Sequence, residues 1–466
     1  MIPSGKTLYE CLTDYAAARP EKKLLGDSRR WLSVADSLRM ARSAALRFRA
    51  QGIGVGDLVA LRAERSIDTI IALLGLRFVG AVVVLTDPRH EAEEVLAHCA
   101  VPIPVKAVFD GAACPASNIE ASFAAAEVSS QAPAFILFTS GSTGKSKAVV
   151  LSEYNLVNNL VDSQPLGDYS EDDIALGALP LDHVFGLVLL AGTMVLRYAL
   201  YLPDRTDIPS ILGAIEKQKL TRMNGVPSLY LAMAEQRSDY DLSSLRAGFI
   251  GGGPVTKEQF RRIERDLDMT LISVYGMSEC IGISCSSFRD GQDVRACGVG
   301  PFYSMNTGKV LLEDGSEAVP GQEGEICVKG PARMLGYYGE KMPEDEFLHT
   351  GDLGYLDAGG VLHITGRKKD IIIRNGLNLS PKKIEDALLS LPGVKAAAVV
   401  GLPDERQGEV PYALVAGMAE VSQLAALLQK NELPVGILEA GTLPLTASGK
   451  PDKQRIREVL TAWRNG

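Results

Sequence analysis

The sequence predicts an α/β fold, with a large N-terminal region of α/β units, then a β-rich part and a small α+β region at the C-terminus. Helical and strand patterns alternate as far as Gly276, and short strand patterns broken by Gly and Asp run from about residue 296 to 366. Such alternation is typical of βαβ units around a largely parallel sheet, and closely spaced turns with few helices are typical of a β-rich part.

The N-terminal region begins with helices and strands in turn. Its first pattern, VADSLRMARSAALRFRAQG, predicts an amphipathic helix that ends at Gly52. The next three predict a strand, a buried helix and a buried strand, and they read DLVALRA, IDTIIALLGLRFVGA and VVVLT. Strand and helix alternate again in DIALGALPL, IPSILGAIEKQKL, RAGFIGGG, TKEQFRRIERDL and TLISVYG. This order predicts βαβ units on both sides of residue 150.

The charged sequence GRKKD separates the β-rich part from the C-terminal region. Before it lie the strand-rich sequences KVLLEDGSEAVPGQEGEICVKG and LGYLDAGGVLHITG. After it come a helical pattern, SPKKIEDALLSL, and two strand patterns, VKAAAVVGL and YALVAGMA. We place a domain boundary between Gly366 and Asp370, so residues 1–367 and residues 370–466 are expected to form separate domains.

Composition and charge exclude several classes of protein. The 466 residues suffice for roughly two to four domains. The formal net charge of -9 provides no positive field for nucleic acid or an anionic membrane. The seven cysteines are scattered without a C-x-x-C pair, which favours reduced thiols over disulfides or zinc. The apolar run VFGLVLLAGTMVL is shorter than the ~20 residues of a membrane span, and the N-terminus lacks a secretion signal. We expect a cytoplasmic protein with no nucleic-acid partner and no membrane span.

The sequence FTSGSTGKSKAVVLS, from Phe138 to Ser152, contains the Gly-Lys-Ser that ends a Walker A phosphate loop. A Walker A loop needs another glycine five residues before Gly144, but Thr139 occupies that position. A helix follows a Walker loop, whereas AVVL predicts a strand here. The glycines, hydroxyls and lysines of this loop are typical either of a phosphate cradle or of a polar hairpin turn.

Six motifs in order decide between these alternatives. They are TSGSTGKSK, YGMSE, GEICVKGPARMLGYY, TGDLGYLD, GRKKDIIIRNGLNLSP and LPLTASGK, and they cover nearly the whole chain. Together they resemble the adenylate-forming superfamily of acyl-CoA synthetases, peptide-synthetase adenylation domains and luciferases. The resemblance implies an N-terminal adenylation domain and a small, mobile C-terminal lid domain. It also implies ATP- and Mg²⁺-dependent conversion of a carboxylic acid to an acyl adenylate, followed by transfer to the thiol of CoA.

The resemblance assigns the residues of the ATP site. Glu279 would bind Mg²⁺, a hard cation that prefers oxygen ligands, and Ser278 would contact the α-phosphate. The paired oxygens of Asp352 would accept hydrogen bonds from the two ribose hydroxyls, with Arg367 nearby, and Tyr275 would lie against the adenine. The other ATP or AMP contacts would come from Thr139, Ser140, Gly141, Ser142, Thr143, Gly144, Lys147, Gly251, Gly252, Gly253 and Gly276.

Further residues are assigned to the acid and to acyl transfer. Lys450 would bridge the acid carboxylate and the α-phosphate, and would neutralise the charge that opposes their approach. His183 in LPLDHVFGL would lie beside the acid carboxylate. Lys369 would be the hinge of the C-terminal domain, and Gly376 would line the opening for the pantetheine arm.

Some positions depart from the family pattern. Ser146 and Ala148 replace the usual Pro and Gly of the loop, and Asp182 occupies a position that is often aromatic, which leaves the shape of the acid pocket open. Val184 follows His183 where amino-acid-activating domains typically carry Asp. A fatty or aromatic acid is therefore expected rather than an amino acid, and its pocket would be lined by apolar residues such as Phe185, Val188 and Met277.

Three alternatives remain. The acyl group could pass to the phosphopantetheine of an acyl carrier protein instead of CoA. A P-loop kinase or NTPase would cleave the γ-phosphate and depend on Lys145 more than on Lys450. A relative that binds nucleotide without catalysis is opposed by the presence of Glu279, Asp352 and Lys450.

Overall fold

The computed structural model describes residues 4–110, 123–139, 145–343, 346–417, 421–446 and 451–465. The helices in these residues are α1 (Leu8–Ala18), α2 (Val34–Ala50), α3 (Ile67–Phe78), α4 (Ala92–Ala97), α5 (Glu153–Gly167), α6 (Val184–Val195), α7 (Ile208–Gln218), α8 (Pro227–Gln236), α9 (Lys257–Leu267), α10 (Gln292–Cys297), α11 (Pro381–Leu389), α12 (Leu424–Leu427) and α13 (Lys453–Asn465).

The strands form four sheets. In chain order they are β1 (Lys23–Gly26), β2 (Trp31–Ser33), β3 (Leu58–Arg62), β4 (Val82–Thr86), β5 (Ala107–Asp110), β6 (Pro133–Thr139), β7 (Lys147–Ser152), β8 (Ile174–Leu176), β9 (Ala199–Tyr201), β10 (Arg222–Gly225), β11 (Ala247–Ile250), β12 (Thr270–Met277), β13 (Cys280–Cys285), β14 (Thr307–Leu311), β15 (Gly324–Lys329), β16 (Gly336–Tyr337), β17 (Leu348–Leu356), β18 (Leu362–Arg367), β19 (Ile372–Arg374), β20 (Leu377–Leu379), β21 (Val394–Asp404), β22 (Gly408–Gly417) and β23 (Gly436–Ala440).

The first sheet contains the two strands that flank the predicted phosphate loop. Its order is β16-β7-β6-β4-β3-β5, and β3 runs parallel to β4 and β5 while β4 runs parallel to β6. Strand β7 returns antiparallel to β6, with Thr139 paired with Lys147. Helix α5 follows directly, capped by Ser152, whose hydroxyl accepts a hydrogen bond from the backbone N–H of Asn155. The loop therefore connects two antiparallel strands, after the carboxyl end of β6.

The second sheet has the order β13-β12-β11-β10-β8-β9-β1-β2. Its central neighbours, from β12 to β1, run parallel to one another, and antiparallel strands β13 and β2 close its edges. The two sheets together confirm the prediction of largely parallel α/β units. The carboxyl end of β11 lies beside β12, which brings the Gly-rich sequence after Ile250 next to the YGMSE motif.

The β-rich part predicted after residue 296 is confirmed. Strands β14, β15, β17 and β18 form an antiparallel sheet in that order. The short strand β16 lies between β15 and β17 in the sequence but does not join this sheet. It pairs with β7, so that Tyr337 lies opposite Val149. This pairing connects the β-rich part to the strand that follows the phosphate loop.

The last sheet is built from residues that follow the GRKKD sequence. Strands β20, β19, β22 and β21 lie in that order, β23 pairs with β22, and α11 and α13 pack against the long strand β21. A single 3-10 turn, Lys368–Asp370, connects β18 to this sheet. The predicted α+β character of the C-terminal region is confirmed.

Burial follows the sequence pattern. Helix α3 is buried at nearly every position because its sequence is apolar all round. Six cysteines within the described ranges are free thiols. Among the described residues, no helix combines the length and the hydropathy that a transbilayer segment requires.

Candidate active site

The phosphate loop lies between Thr139 at the end of β6 and Lys147 at the start of β7, and these two residues pair with each other. The intervening residues Ser140, Gly141, Ser142, Thr143 and Gly144, all assigned to phosphate binding, lie outside the described residues. The ammonium of Lys147 is 4.6 Å from the ring centroid of Tyr337, a cation–π contact. A strand, and not the helix of a Walker loop, follows these residues, as the sequence predicted.

Glu279 contacts the same tyrosine. Together with Ser278, it forms the turn between β12 and β13. The hydroxyl of Tyr337 donates a 2.9 Å hydrogen bond to Oε1 of Glu279, and the backbone carbonyl of Glu279 accepts one from Met334. Burial and the adjacent carboxylate raise the pKa of Tyr337, so its hydroxyl keeps its proton. Glu279 is only 9% exposed, and Tyr337 fixes one of its two oxygens.

Asp352 is the centre of a second hydrogen-bonded group. Its Oδ2 accepts a 2.7 Å hydrogen bond from the hydroxyl of Tyr275, and its Oδ1 lies 2.8 Å from Nε of Arg367 on the neighbouring strand. Burial, followed by the charge of Asp352, raises the pKa of Tyr275 well above its usual value, so Tyr275 remains a donor. Each carboxylate oxygen retains a further acceptor site, because an ionised carboxylate has about four lone-pair directions.

The glycines assigned to ATP or AMP contacts place backbone without side chains beside Tyr275. Gly251, Gly252 and Gly253 follow β11 directly, and a Cβ on Gly251 would lie 2.7 Å from the carbonyl oxygen of Val274. At Gly276, a Cβ would lie 2.1 Å from the carbonyl oxygen of Ile281. A side chain at either position would displace the strand that carries Tyr275.

His183 begins α6 as its N-cap residue. Its Nδ1 accepts a 3.2 Å hydrogen bond from the backbone N–H of Phe185, so a neutral imidazole carries its proton on Nε2. The preceding residue, Asp182, has a buried Oδ1 for which the described residues supply no hydrogen-bond donor. An imidazole and a carboxylate are thus adjacent in the sequence at the N-terminus of α6.

The residues on either side of the predicted hinge, Lys369, form ion pairs. The ammonium of Lys368 lies 3.1 Å from Oε2 of Glu325 on β15, and Asp370 lies 3.7 Å from the ammonium of Lys453 on α13. Lys369 stands between these two ion pairs. Gly376 follows Asn375 in the β19–β20 turn, and both have positive φ, 52° for Asn375 and 77° for Gly376, as a two-residue hairpin turn requires.

Lys450 and the three residues before it lie outside the described residues. Leu445 pairs with Pro451 across this gap, and the N–H of Asp452 donates a 2.9 Å hydrogen bond to the carbonyl of Pro444. Lys453 anchors the start of α13 through Glu385, 3.0 Å away.

The structure thus brings together Lys147 with Glu279, through Tyr337, and Tyr275 with Asp352 and Arg367. No role is assigned to Tyr337 or to Glu325 in the sequence analysis above. Tyr337 lies in the motif GEICVKGPARMLGYY, but its contact with Glu279 depends on the pairing of β16 with β7, which the sequence does not show. Glu325, in the same motif, carries no local signal, because its partner Lys368 is 43 residues away.

Comparison with known proteins agrees with this geometry. A family model described as AMP-binding enzyme matches residues 12–338, and one described as AMP-binding enzyme C-terminal domain matches residues 383–450. Acyl-CoA ligase sidI of Aspergillus fumigatus is 34% identical over 360 residues, which cover 70% of this chain and 60% of that protein, less than two thirds of its length. A feruloyl-CoA synthase of Amycolatopsis sp is 33% identical over 346 residues, 69% of each chain.

The fold is also that of solved structures. ATP-bound MatB from Rhodopseudomonas palustris superposes with a TM-score of 0.88 at 26% identity, over 98% of this chain and 99% of that one. The apo form of the same protein superposes with a TM-score of 0.79 over the same shares. The arrangement of this chain is therefore closer to the ATP-bound form of MatB than to its apo form.

Proposed function

The chain belongs to the AMP-binding enzyme family, and we propose that it is an AMP-forming acid:thiol ligase. In this proposal it activates a carboxylic acid with ATP as an acyl adenylate and passes the acyl group to the thiol of CoA. The observation that carries the proposal is the buried carboxylate of Asp352, held between the hydroxyl of Tyr275 and the guanidinium of Arg367. This geometry presents fixed acceptor oxygens, as recognition of a ribose diol requires.

The phosphates would lie at the hairpin that begins with Thr139 and ends with Lys147. Displacement at phosphorus depends mostly on positioning and on charge neutralisation. Lys147 supplies a cation there, and its contact with the ring of Tyr337 restricts where its ammonium can lie. The backbone amides and hydroxyls of the loop would supply the remaining donors.

Glu279 fits a magnesium ion carried by the nucleotide. No group of three or more His, Cys, Asp or Glu side chains suited to a metal ion occurs among the described residues. A single buried carboxylate is nevertheless enough, because Mg²⁺ is usually held by one or two carboxylates together with substrate phosphates and water. Bound there, the ion would neutralise phosphate charge, and Tyr337 would keep Glu279 oriented towards it.

The acid carboxylate would lie between His183 and Lys450. His183 would lie beside the carboxylate, and Lys450 would offset the repulsion between that carboxylate and the α-phosphate. The partly buried side chains of Phe185, Val188 and Met277 support an apolar acid. The relatives named feruloyl-CoA synthase and acyl-CoA ligase support a fatty or aromatic acid.

We divide the chain into an adenylation domain, residues 1–367, and a mobile lid domain, residues 370–466, that turns about Lys369. The ion pairs on either side of Lys369 support this division, because Lys368 is paired with Glu325 on β15 of the β-rich sheet, whereas Asp370 is paired with Lys453 on α13 of the C-terminal region. The higher TM-score with ATP-bound MatB supports the adenylate-forming arrangement for this structure. The free cysteines support a reducing, cytoplasmic environment.

Glu325→Gln is expected to weaken the adenylate-forming arrangement, because the variant loses the charge that attracts Lys368. Since Lys368 is 59% exposed, the ion pair contributes little and the expected change is small. We expect the rate of adenylate formation to fall about two- to fivefold relative to thioester formation from supplied acyl adenylate. The matched control is Glu317→Gln, which removes the ion pair with Lys309 on the same sheet. A ratio of the two rates that changes equally in both variants would contradict the role of Glu325.

The acceptor is tested by supplying alternative thiols. With ATP and an activated acid, we expect thioester formation on CoA at a rate that accounts for AMP release. The alternative, a carrier protein, would show thioester on its phosphopantetheine and none on CoA. Formation of ADP or of inorganic phosphate in place of AMP and pyrophosphate would contradict both versions and favour a kinase or NTPase.

A further inference from the structure

Tyr337 contacts two side chains of opposite charge that do not pair with each other. Its hydroxyl donates a 2.9 Å hydrogen bond to Oε1 of Glu279, and the ammonium of Lys147 lies over its ring, 4.6 Å from the centroid. Within the described ranges, neither Glu279 nor Lys147 forms an ion pair with any side chain. The carboxylate and the ammonium are therefore held by the same tyrosine, each through a different part of it.

The backbone around Tyr337 holds it next to both charges. The N–H of Met334 donates a 2.9 Å hydrogen bond to the backbone carbonyl of Glu279. Strand β16, which ends with Tyr337, pairs with β7, the strand that begins with Lys147. The segment that carries the tyrosine is thus hydrogen-bonded on one side to the turn with the carboxylate and on the other to the strand with the ammonium.

Both charges can still reach a ligand. The second oxygen of Glu279, Oε2, forms no hydrogen bond in the described part of the chain, and it is not shielded from solvent as the Oδ1 of Asp182 is. Lys147 is an exposed residue. A cation can therefore reach the carboxylate and an anion can reach the ammonium, as long as the two do not neutralise each other.

An ion pair between Glu279 and Lys147 would remove both charges from the site. Opposite charges attract more strongly where one of them is withdrawn from water, and Glu279 is only 9% exposed. The tyrosine opposes this pairing because it satisfies each group separately. Its phenol supplies a donor to the carboxylate, and its ring supplies a π face to the ammonium.

We propose that Tyr337 is a positioning residue that keeps Glu279 and Lys147 apart, so that the carboxylate remains available to Mg²⁺ and the ammonium to phosphate. The inference rests on the proposed function, which assigns Mg²⁺ to Glu279 and the phosphates to the loop that ends with Lys147. The hydroxyl and the ring can be removed separately. Tyr337→Phe loses the donor and keeps the ring, whereas Tyr337→Leu loses both.

The test measures the factor by which Mg²⁺ strengthens ATP binding, without catalysis. This factor is the Kd for ATP in EDTA divided by the Kd at saturating Mg²⁺, both obtained by calorimetry in the absence of an acid. Tyr337→Phe and Tyr337→Leu are each measured alone and combined with Lys147→Met. Tyr338→Phe is the matched control, because the hydroxyl of this neighbouring tyrosine makes no hydrogen bond with the residues that the structure describes.

The control is expected to keep the wild-type factor. In Tyr337→Phe the factor should fall about three- to tenfold, because Glu279 loses the donor that orients it. In Tyr337→Leu it should fall about tenfold or more, because Lys147 then pairs with Glu279. Addition of Lys147→Met should raise the factor of Tyr337→Leu by about threefold or more and leave that of Tyr337→Phe unchanged, since only the first variant contains the ion pair.

An unchanged factor in both tyrosine variants would overturn the inference. Absence of recovery when Lys147→Met is added to Tyr337→Leu would also overturn it, because a purely structural role of the tyrosine predicts no recovery. If Tyr337→Leu does not fold, the test rests on Tyr337→Phe, where the factor is expected to fall and an unchanged factor overturns the inference.

Glu279→Gln separates the inference from the proposed function. If this change leaves the factor at the wild-type value, Glu279 does not bind Mg²⁺, and the proposed metal site fails together with the inference. If Glu279→Gln lowers the factor while both tyrosine variants keep it, the metal site stands and only the role of Tyr337 is wrong.

Discussion

Replacement of Lys450 by alanine is expected to abolish adenylate formation and to spare thioester formation from supplied acyl adenylate. The reason is electrostatic, because the acid carboxylate and the α-phosphate repel each other, and a cation between them is needed only while they approach. Loss of one such stabilising group typically lowers the rate about 10²- to 10³-fold. The two half-reactions can be measured separately, by acid-dependent pyrophosphate release and by CoA thioester formation.

The matched control for this change is Lys430→Ala, which removes an exposed lysine from the same C-terminal region. Both half-reactions should remain at the wild-type rate in the control. Equal loss of both half-reactions in Lys450→Ala would contradict the domain movement, because Lys450 would then be required in each arrangement of the lid.

Asp352→Asn is expected to raise the KM and the Kd for ATP about 10- to 100-fold. The amide keeps the shape of the side chain but offers one neutral oxygen in place of two charged ones. Hydrogen bonds to a charged acceptor contribute about 1.5–3 kcal/mol, so loss of the charge weakens ribose binding by that order. Arg367 also loses its ion pair with Asp352. Binding can be measured by calorimetry with ATP alone.

Asp357→Asn is the control for the ATP-binding measurement. Asp357 lies in the turn after β17, where its carboxylate accepts hydrogen bonds from Val361 and His363, away from Tyr275. ATP binding should be unchanged in this variant. If Asp352→Asn binds ATP as tightly as the wild-type protein while folding normally, the ribose assignment is wrong.

Local pattern predicted much of the fold. Apolar alternation and helical periodicity located α2, β3, α3 and β4, because each of these elements is determined by the local pattern of apolar residues. The sequence AVVL likewise predicts the strand after the phosphate loop, and this strand is confirmed as β7, which pairs with β6. Motifs located Tyr275 and Asp352, which the structure joins although they are 77 residues apart.

Local sequence patterns could not predict the contacts between residues that are far apart in the sequence. Tyr337 meets Glu279 because a two-residue strand leaves the β-rich sheet and pairs with β7, and no periodicity in the sequence encodes that pairing. Asp182 departs from the family pattern, but only the structure shows that its Oδ1 is shielded from solvent with no hydrogen-bond donor among the described residues. Whether an aspartate is exposed or lacks a donor is a property of the whole fold.

The central claim is that the chain forms an acyl adenylate before any thiol takes part. The most direct measurement is the exchange of labelled pyrophosphate into ATP, with an activated acid present and CoA absent. The account predicts label in ATP that depends on the acid and on Mg²⁺ and disappears in Lys450→Ala. Exchange that requires a thiol, or an ATP reaction that yields ADP without exchange, would contradict it.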